Sequence, residues 1–343
     1  MKFNTKCVHG GGKPDSTGAI SPAIYMSSTF THPGLGETTG FQYTRESNPT
    51  RDRLETLIAG LEEGTDAIAF SSGMAAVDAV FHLFSPGDHV ILGDDLYGGS
   101  IRLFTNIYEK NGVEFTYVGT SDLDAVQAAF KPNTKAVYIE TPTNPMMEIT
   151  DVRALSKMAH DHNALVIIDN TFLSPYFQKP LTLGADIVVH SGTKFIGGHH
   201  DVISGFTIVK DDDLAAQLRL IYKTVGACLS AFDSWLVIRG IKTLALRMEQ
   251  HQKNAIALAE WLKQEPKVTK VLFPGLPEHP GYEVNKSQTT GFGGMLSFEV
   301  DSEETAKQVL EGIQLIQFAE SLGGTESLLT YPVTQTHPDL KPE

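Results

Sequence analysis

Residues 185–201 read ADIVVHSGTKFIGGHHD. Three apolar residues, Ile187–Val189, run without alternation into a turn of small polar residues that carries Lys194. A short unbroken apolar run suits a strand buried on both faces of a sheet. Further runs lie on either side. Ala67–Phe70, Val90–Leu92, Phe115–Val118, Ala136–Ile139 and Leu165–Ile168 come before it, and Gly205–Val209 follows. Segments of helical period separate them, for example Asp122–Phe130 and Val152–His160. This alternation predicts an α/β fold with a mostly parallel, seven-stranded sheet flanked by helices.

Outside this region the pattern changes. Leu214–Gln264 reads as mostly helical, Gly291–Val300 as the start of a strand, and Glu303–Gly312 as a helix. They predict a smaller C-terminal α/β domain. The first fifty residues are rich in Gly, Pro, Ser and Thr and lack clear periodicity. Such a segment builds no core of its own, so it is expected to pack as an arm on another surface, such as a second subunit. The expected divisions are an arm over 1–55, a large domain over 56–235 and a C-terminal domain over 236–343.

The length of 343 residues suits two domains. Net charge is −14, from 41 acidic against 27 basic residues. So acidic a chain lacks the electrostatic footprint for nucleic acid or an anionic membrane, and an anionic ligand must be held by a local site. Two distant cysteines, Cys7 and Cys228, make neither a disulfide framework nor a zinc pattern. The start, MKFNTKCVHGGGKPDS, has no apolar leader, and no run nears the roughly 18 apolar residues of a membrane span. These features predict a cytoplasmic protein.

Ligands of α/β sheets sit beyond the carboxyl ends of the strands. Lys194 is presented there, flanked by Ser191 and Thr193, whose hydroxyls can donate to a phosphate. A lone lysine in a polar loop is more often a surface residue. Asp169, at the end of LVIID (Leu165–Asp169), changes that reading. It precedes Lys194 by 25 residues, one helix and one strand returning to the same sheet edge. An acid for a pyridine nitrogen and a lysine for an aldehyde are what pyridoxal 5′-phosphate (PLP) requires. FSSGMAA (Phe70–Ala76) adds a strand, a turn and a helix start, where the amides of Gly73 and Met74 can bind phosphate. In DLYGGSIRLF (Asp95–Phe104), Tyr97 can stack on a ring and transfer a proton, and Arg102 can bind a carboxylate. No dinucleotide fingerprint or P-loop is present in such a context. His190, His199, His200 and Asp201 are a competing metal reading, but adjacent histidines point apart and no metal is expected.

These motifs, with YTRESNPTR (Tyr43–Arg51), ETPTNP (Glu140–Pro145), FDSWLVIRGIKTLALRM (Phe232–Met248) and ESLGGTESL (Glu320–Leu328), resemble the Cys/Met-metabolism PLP enzymes. That family includes cystathionine γ-synthase, cystathionine β- and γ-lyase and methionine γ-lyase. The resemblance runs from about residue 6 to the end and implies a fold-type I PLP-dependent transferase. It implies that Lys194 holds the cofactor as a Schiff base and moves protons, that Asp169 pairs with the pyridinium, and that Tyr97 stacks on the ring. It also implies that Gly73, Met74, Ser191 and Thr193 hold the phosphate, and that Asn144 lies near the phenolic oxygen. Tyr43 and Arg45 would reach the phosphate of a neighbouring subunit, within a homotetramer of two active dimers.

Family members continue a few tens of residues further, into a segment whose arginine clamps the substrate carboxylate. This sequence stops before it, at THPDLKPE, and the protein itself is expected to carry the tail. Ser321 would be the remaining partner for the carboxylate.

The expected substrate is a small sulfur amino acid. Glu320 resembles enzymes acting at Cγ, although some β-lyases share it. Gly99 stands where methionine γ-lyases carry cysteine. Gln42 stands where several relatives carry an acid. A cystathionine γ-lyase with possible β-lyase activity is the expected activity. Cystathionine γ-synthase is the alternative, and a non-catalytic PLP-binding regulatory module a remote one.

Overall fold

A computed structural model describes residues 1–12 and 16–335. Seven strands form one sheet: β1 Asp66–Phe70, β2 His89–Gly93, β3 Glu114–Val118, β4 Thr134–Glu140, β5 Leu165–Asp169, β6 Ile187–Ser191 and β7 Gly205–Val209. Their order is β1-β7-β6-β5-β4-β2-β3. β7 runs antiparallel to both its neighbours, and the other pairs are parallel. The parallel pairs need crossovers, supplied for example by the helix Val152–Asp161 between β4 and β5.

The expected runs are these seven strands, most of them slightly extended. β2 and β7 are buried at every position, which explains their unbroken apolar sequence. β3 differs. It lies at the sheet edge and is half exposed, because no strand covers its outer side.

Successive residues of a strand point to opposite faces, and the packing follows. Val188 joins Leu54, Ile58, Phe206, Val237 and Met248 on one face. Its neighbours Ile187 and Val189 join Phe81, Phe104 and Tyr138 on the other. Helices therefore cover both faces, and the useful edge is the one where the strands end.

The helix Pro49–Glu62 leads into the start of β1. Asn48 caps it by accepting the Thr50 amide at 3.0 Å, and Pro49 occupies the first helical position, where its missing N–H costs nothing. Beyond β7 come three helices, Asp212–Val225, Ala231–Ile241 and Leu244–Leu262. The antiparallel pair β8 Val268–Leu272 and β9 Ser297–Val300 follows, then the helix Glu303–Gly312. The strand expected over Gly291–Val300 is confined to its last four residues. Gly291 is packed so closely that a Cβ there would stand 2.3 Å from the Phe177 ring. β10 Gln317–Phe318 and β11 Leu328–Leu329 close the described chain.

The first residues depart from the expected irregular arm. Phe3–His9 is a helix that buries Cys7 in the main core. Residues 16–48 have no helix or named strand and are mostly exposed. The expected divisions after residues 55 and 235 fall inside the continuous helices Pro49–Glu62 and Ala231–Ile241. The terminal THPDLKPE lies outside the described residues. Among the described residues, no helix is long and apolar enough to cross a membrane.

Candidate active site

β4, β5 and β6 end side by side. Glu140 pairs with Asp169 across β4 and β5, and Asp169 with Val189 across β5 and β6. The turn after β6 then lifts Lys194 over this edge, closed by Gly197 N–H to Gly192 C=O and Gly198 N–H to Lys194 C=O, each 2.8 Å. Lys194 Nζ lies 3.1 Å from Ser321 Oγ. Burial pushes the amine below its usual pKa, and the charge of Glu320 opposes this. A neutral amine is the form that attacks a carbonyl or accepts a proton.

The segment that brings Ser321 is pressed tightly onto the lysine turn. A Cβ at Gly323 would stand 2.5 Å from Phe195 N, and the backbone there has φ +80°. Only glycine meets both demands. Ser321 itself has φ 109°. A groove of about 640 Å³ opens alongside, lined by Thr193, His199, His200, Glu320, Ser321 and Glu326 among others.

At the same edge sit two carboxyls, Glu140 buried and Asp169 half buried. Asp169 accepts the Thr171 amide at 2.9 Å, and Glu140 accepts the Tyr97 amide at 2.9 Å. Burial raises both above the ordinary carboxylate range, Glu140 further because Asp169 is beside it. Among the described residues neither is ion-paired with a lysine or arginine. Tyr97 leads into the helix Gly98–Leu103 with its ring 40% exposed. A Cβ on Gly99 would fall 2.4 Å from Tyr97 Cε1.

The helix Gly73–Phe81 completes the edge. Ser72 Oγ accepts the Ala75 amide at 3.1 Å and Ser72 C=O accepts the Ala76 amide at 3.2 Å. Gly73 and Met74 hold the first two amides, which a helix cannot satisfy internally. Ser191 stands against them: a Cβ on Gly73 would lie 2.9 Å from Ser191 Cβ and 3.0 Å from its Oγ. Two amides and a hydroxyl at a helix start make an anion cradle.

A family profile described as "Cys/Met metabolism PLP-dependent enzyme" matches residues 4–343. The chain belongs to this family. It is 48% identical to a cystathionine β-lyase of Lactococcus lactis over 99% of this chain and 90% of that one. It is 49% identical to a cystathionine γ-synthase of Haemophilus influenzae, over 98% and 88% of the two chains. Its fold matches the crystal structure of a cystathionine γ-lyase from Lactobacillus plantarum complexed with L-serine. The TM-score is 0.97 and the identity 48%, over 99% and 90% of the two chains.

The Cys/Met-metabolism family is PLP-dependent, and this donor set suits that group. Burial raises Asp169 and Glu140 with no lysine or arginine paired to either among the described residues, the helix start at Gly73 and Met74 faces the Ser191 hydroxyl, and burial lowers the pKa of the Lys194 amine. Thr193 is less free than the sequence suggests. Its hydroxyl donates to Ser204 C=O at 3.2 Å and accepts from Ser204 N–H at 3.1 Å, so it must rotate to donate to a phosphate. Asn144 is half buried in the connection after β4. The Arg45 guanidinium lies 5.5 Å from the centre of the Tyr43 ring, and Arg45 donates to Lys223 C=O. Arg102 is exposed on the helix that follows Tyr97.

The histidines do not converge. His190 is bonded to Glu62 inside the protein, His199 Nδ1 lies 2.8 Å from Gly197 C=O, and His200 is 3.8 Å from Glu326. Sequence reasoning missed Glu140, Thr171 and Glu62. Glu140 was visible as an acid ending an apolar strand, the signal that singled out Asp169.

Proposed function

We propose that this chain is a PLP-dependent carbon–sulfur lyase, a cystathionine γ-lyase releasing cysteine, 2-oxobutyrate and ammonia. The observation that best supports it is the contact of Lys194 with Ser321, with the charge of Glu320 acting on the same amine. One basic group then faces the substrate where protons leave both Cα and Cβ.

When bound, PLP supplies a sink for the electron pair left at the substrate α-carbon. Asp169 would hold a proton at the pyridine nitrogen, and that positive charge would offset the cost of two neighbouring desolvated carboxyls. Gly73 and Met74 amides and the Ser191 hydroxyl hold the phosphate, joined by Thr193 once its hydroxyl turns. Asn144 would bind the cofactor's phenolic oxygen. Lys194 Nζ takes the α-proton and then serves the β-carbon. Tyr97 covers the ring and gives a proton to the departing sulfur. Ser321 and Arg102 take the substrate carboxylate, with Glu320 beside them. Tyr43 and Arg45 serve the phosphate of an adjacent subunit, in a cytoplasmic tetramer.

The γ-synthase reading stands second, supported by the Haemophilus relative at 49% identity. The deciding experiment incubates purified protein with PLP and L-cystathionine, without another thiol, and identifies the keto acid. 2-Oxobutyrate with cysteine supports the γ-lyase. Pyruvate with homocysteine makes it a β-lyase. Neither, with cystathionine formed from an O-acylhomoserine and cysteine, makes it a γ-synthase.

A further inference from the structure

Behind Asp169 lies a buried polar network that the proposed chemistry does not use. Glu62, the last residue of the helix Pro49–Glu62, is fully buried and has no lysine or arginine partner among the described residues. Its Oε1 lies 2.5 Å from His190 Nε2 and accepts Asn170 Nδ2–H at 2.9 Å. Asn170 also donates to Gln178 C=O at 2.9 Å, and Gln178 donates to Asn170 Oδ1 at 3.1 Å and to Thr141 C=O at 3.2 Å. Asn170 follows Asp169, Thr141 follows Glu140, and His190 precedes Ser191. The network therefore grips the residues adjoining the site on β4, β5 and β6.

Packing alone does not call for this. A buried carboxylate bonded to an imidazole costs more than apolar side chains of the same volume. Glu62 Oε2 and His190 Nδ1 are buried without a hydrogen-bond partner, so the cost is not fully offset locally. The ionisable groups facing Asp169 are Tyr138 and Glu140 from β4 and His190 from β6. Of these, His190 is the only one able to carry positive charge, and its charge favours the Asp169 carboxylate.

We infer that Glu62 and His190 are a positioning pair. Glu62 anchors the imidazole by Nε2, one residue beyond the Val189 that pairs with Asp169 across β5 and β6, and so fixes the Asp169 carboxyl for the cofactor's ring nitrogen. This rests on the reading of Asp169 given above. Without the pair, the Asp169 carboxyl competes harder for the proton it shares with the ring. A less cationic ring makes the lysine-linked nitrogen more basic.

The test titrates the visible band of the PLP-loaded enzyme with pH, in wild type, Asp169→Ala, His190→Gln, Glu62→Gln and Glu62→Asp. The expected result is an upward move of the midpoint by about one pH unit in His190→Gln, the scale of one favourable neighbouring interaction lost. Glu62→Gln moves it the same way and less, Glu62→Asp restores it, and cofactor content stays normal. An unmoved midpoint in His190→Gln and Glu62→Gln, with Asp169→Ala still moving it, overturns the pairing and leaves Asp169 in place. An unmoved midpoint in Asp169→Ala instead removes the reading on which the pairing rests. If one glutamine variant fails to fold, the other decides, compared with Glu62→Asp.

Discussion

The carboxyl of Glu140 joins Tyr97 to Asp169: it accepts the Tyr97 amide at 2.9 Å while its own residue pairs with Asp169 across β4 and β5. A shift of the loop after β2 therefore reaches the acid at the sheet edge through one side chain. Both carboxyls titrate above their ordinary values of 4.5 and 3.8 because burial disfavours their charge. Such groups stabilise the fold fully below the unfolded-state pKa, and this contribution is lost as pH rises towards the raised folded-state value. The apoprotein should thus lose thermal stability as pH rises above the ordinary carboxylate range. Glu140→Gln, which keeps an acceptor for Tyr97, should flatten that dependence. Melting of cofactor-free protein at increasing pH checks it, and parallel curves for both proteins would refute it.

Lys194→Ala should fold and still take up PLP at the anion cradle, without the visible band of the lysine-linked form. Turnover should fall at least about a thousandfold, as when a covalent catalytic group is lost. Absorbance spectra and keto-acid release measure the two effects. An unchanged spectrum would sink the assignment of Lys194.

Ser321 is held at φ 109° to bring its hydroxyl to Lys194. Both Ser321→Ala and Ser321→Gly should lower kcat/KM about tenfold, the worth of one hydrogen bond to a charged group. They should differ in stability. The glycine variant relieves the backbone and should be more stable than the alanine variant by about 1 kcal/mol. Denaturant melts resolve this, and equal stability would show the backbone to be unstrained.

Gly205, paired with Ser191 in the sheet, lies under the helix start. A Cβ there would stand 2.1 Å from the carbonyl oxygen of Ser72. Backbone cannot rotate away as a side chain can. Gly205→Ala should therefore displace the cap of the helix Gly73–Phe81, destabilise by about 2 kcal/mol and weaken PLP binding. Fluorescence titration with PLP reports the second effect. Wild-type affinity would mean that the cradle does not depend on this packing.

Much of the sheet could be read from sequence because strands buried on both faces leave unbroken apolar runs. The helix Phe3–His9 could not. Seven residues carry little periodic signal, and this helix owes its place to Cys7 packing into the main core. Gly291–Val300 reads as one strand, yet only Ser297–Val300 pairs, since nothing local announces that Gly291 must admit the Phe177 ring. The placement of Asp169, Lys194 and Gly73 at strand ends and a helix start was legible. Glu62 was not. It looks like any helix-terminal acid, and its partner His190 lies 128 residues further on. Pairing across such a distance is written in topology and has no local pattern.

The contact between Lys194 and Ser321 spans 127 residues. A ribosome adding about 5–20 residues each second would emit the lysine roughly 6 to 25 s before the serine that covers it. Over that interval the sheet edge, the lysine and the anion cradle can already be assembled in the nascent chain. The wall that faces Lys194 is thus synthesised after the lysine, the sheet edge and the helix start that it covers.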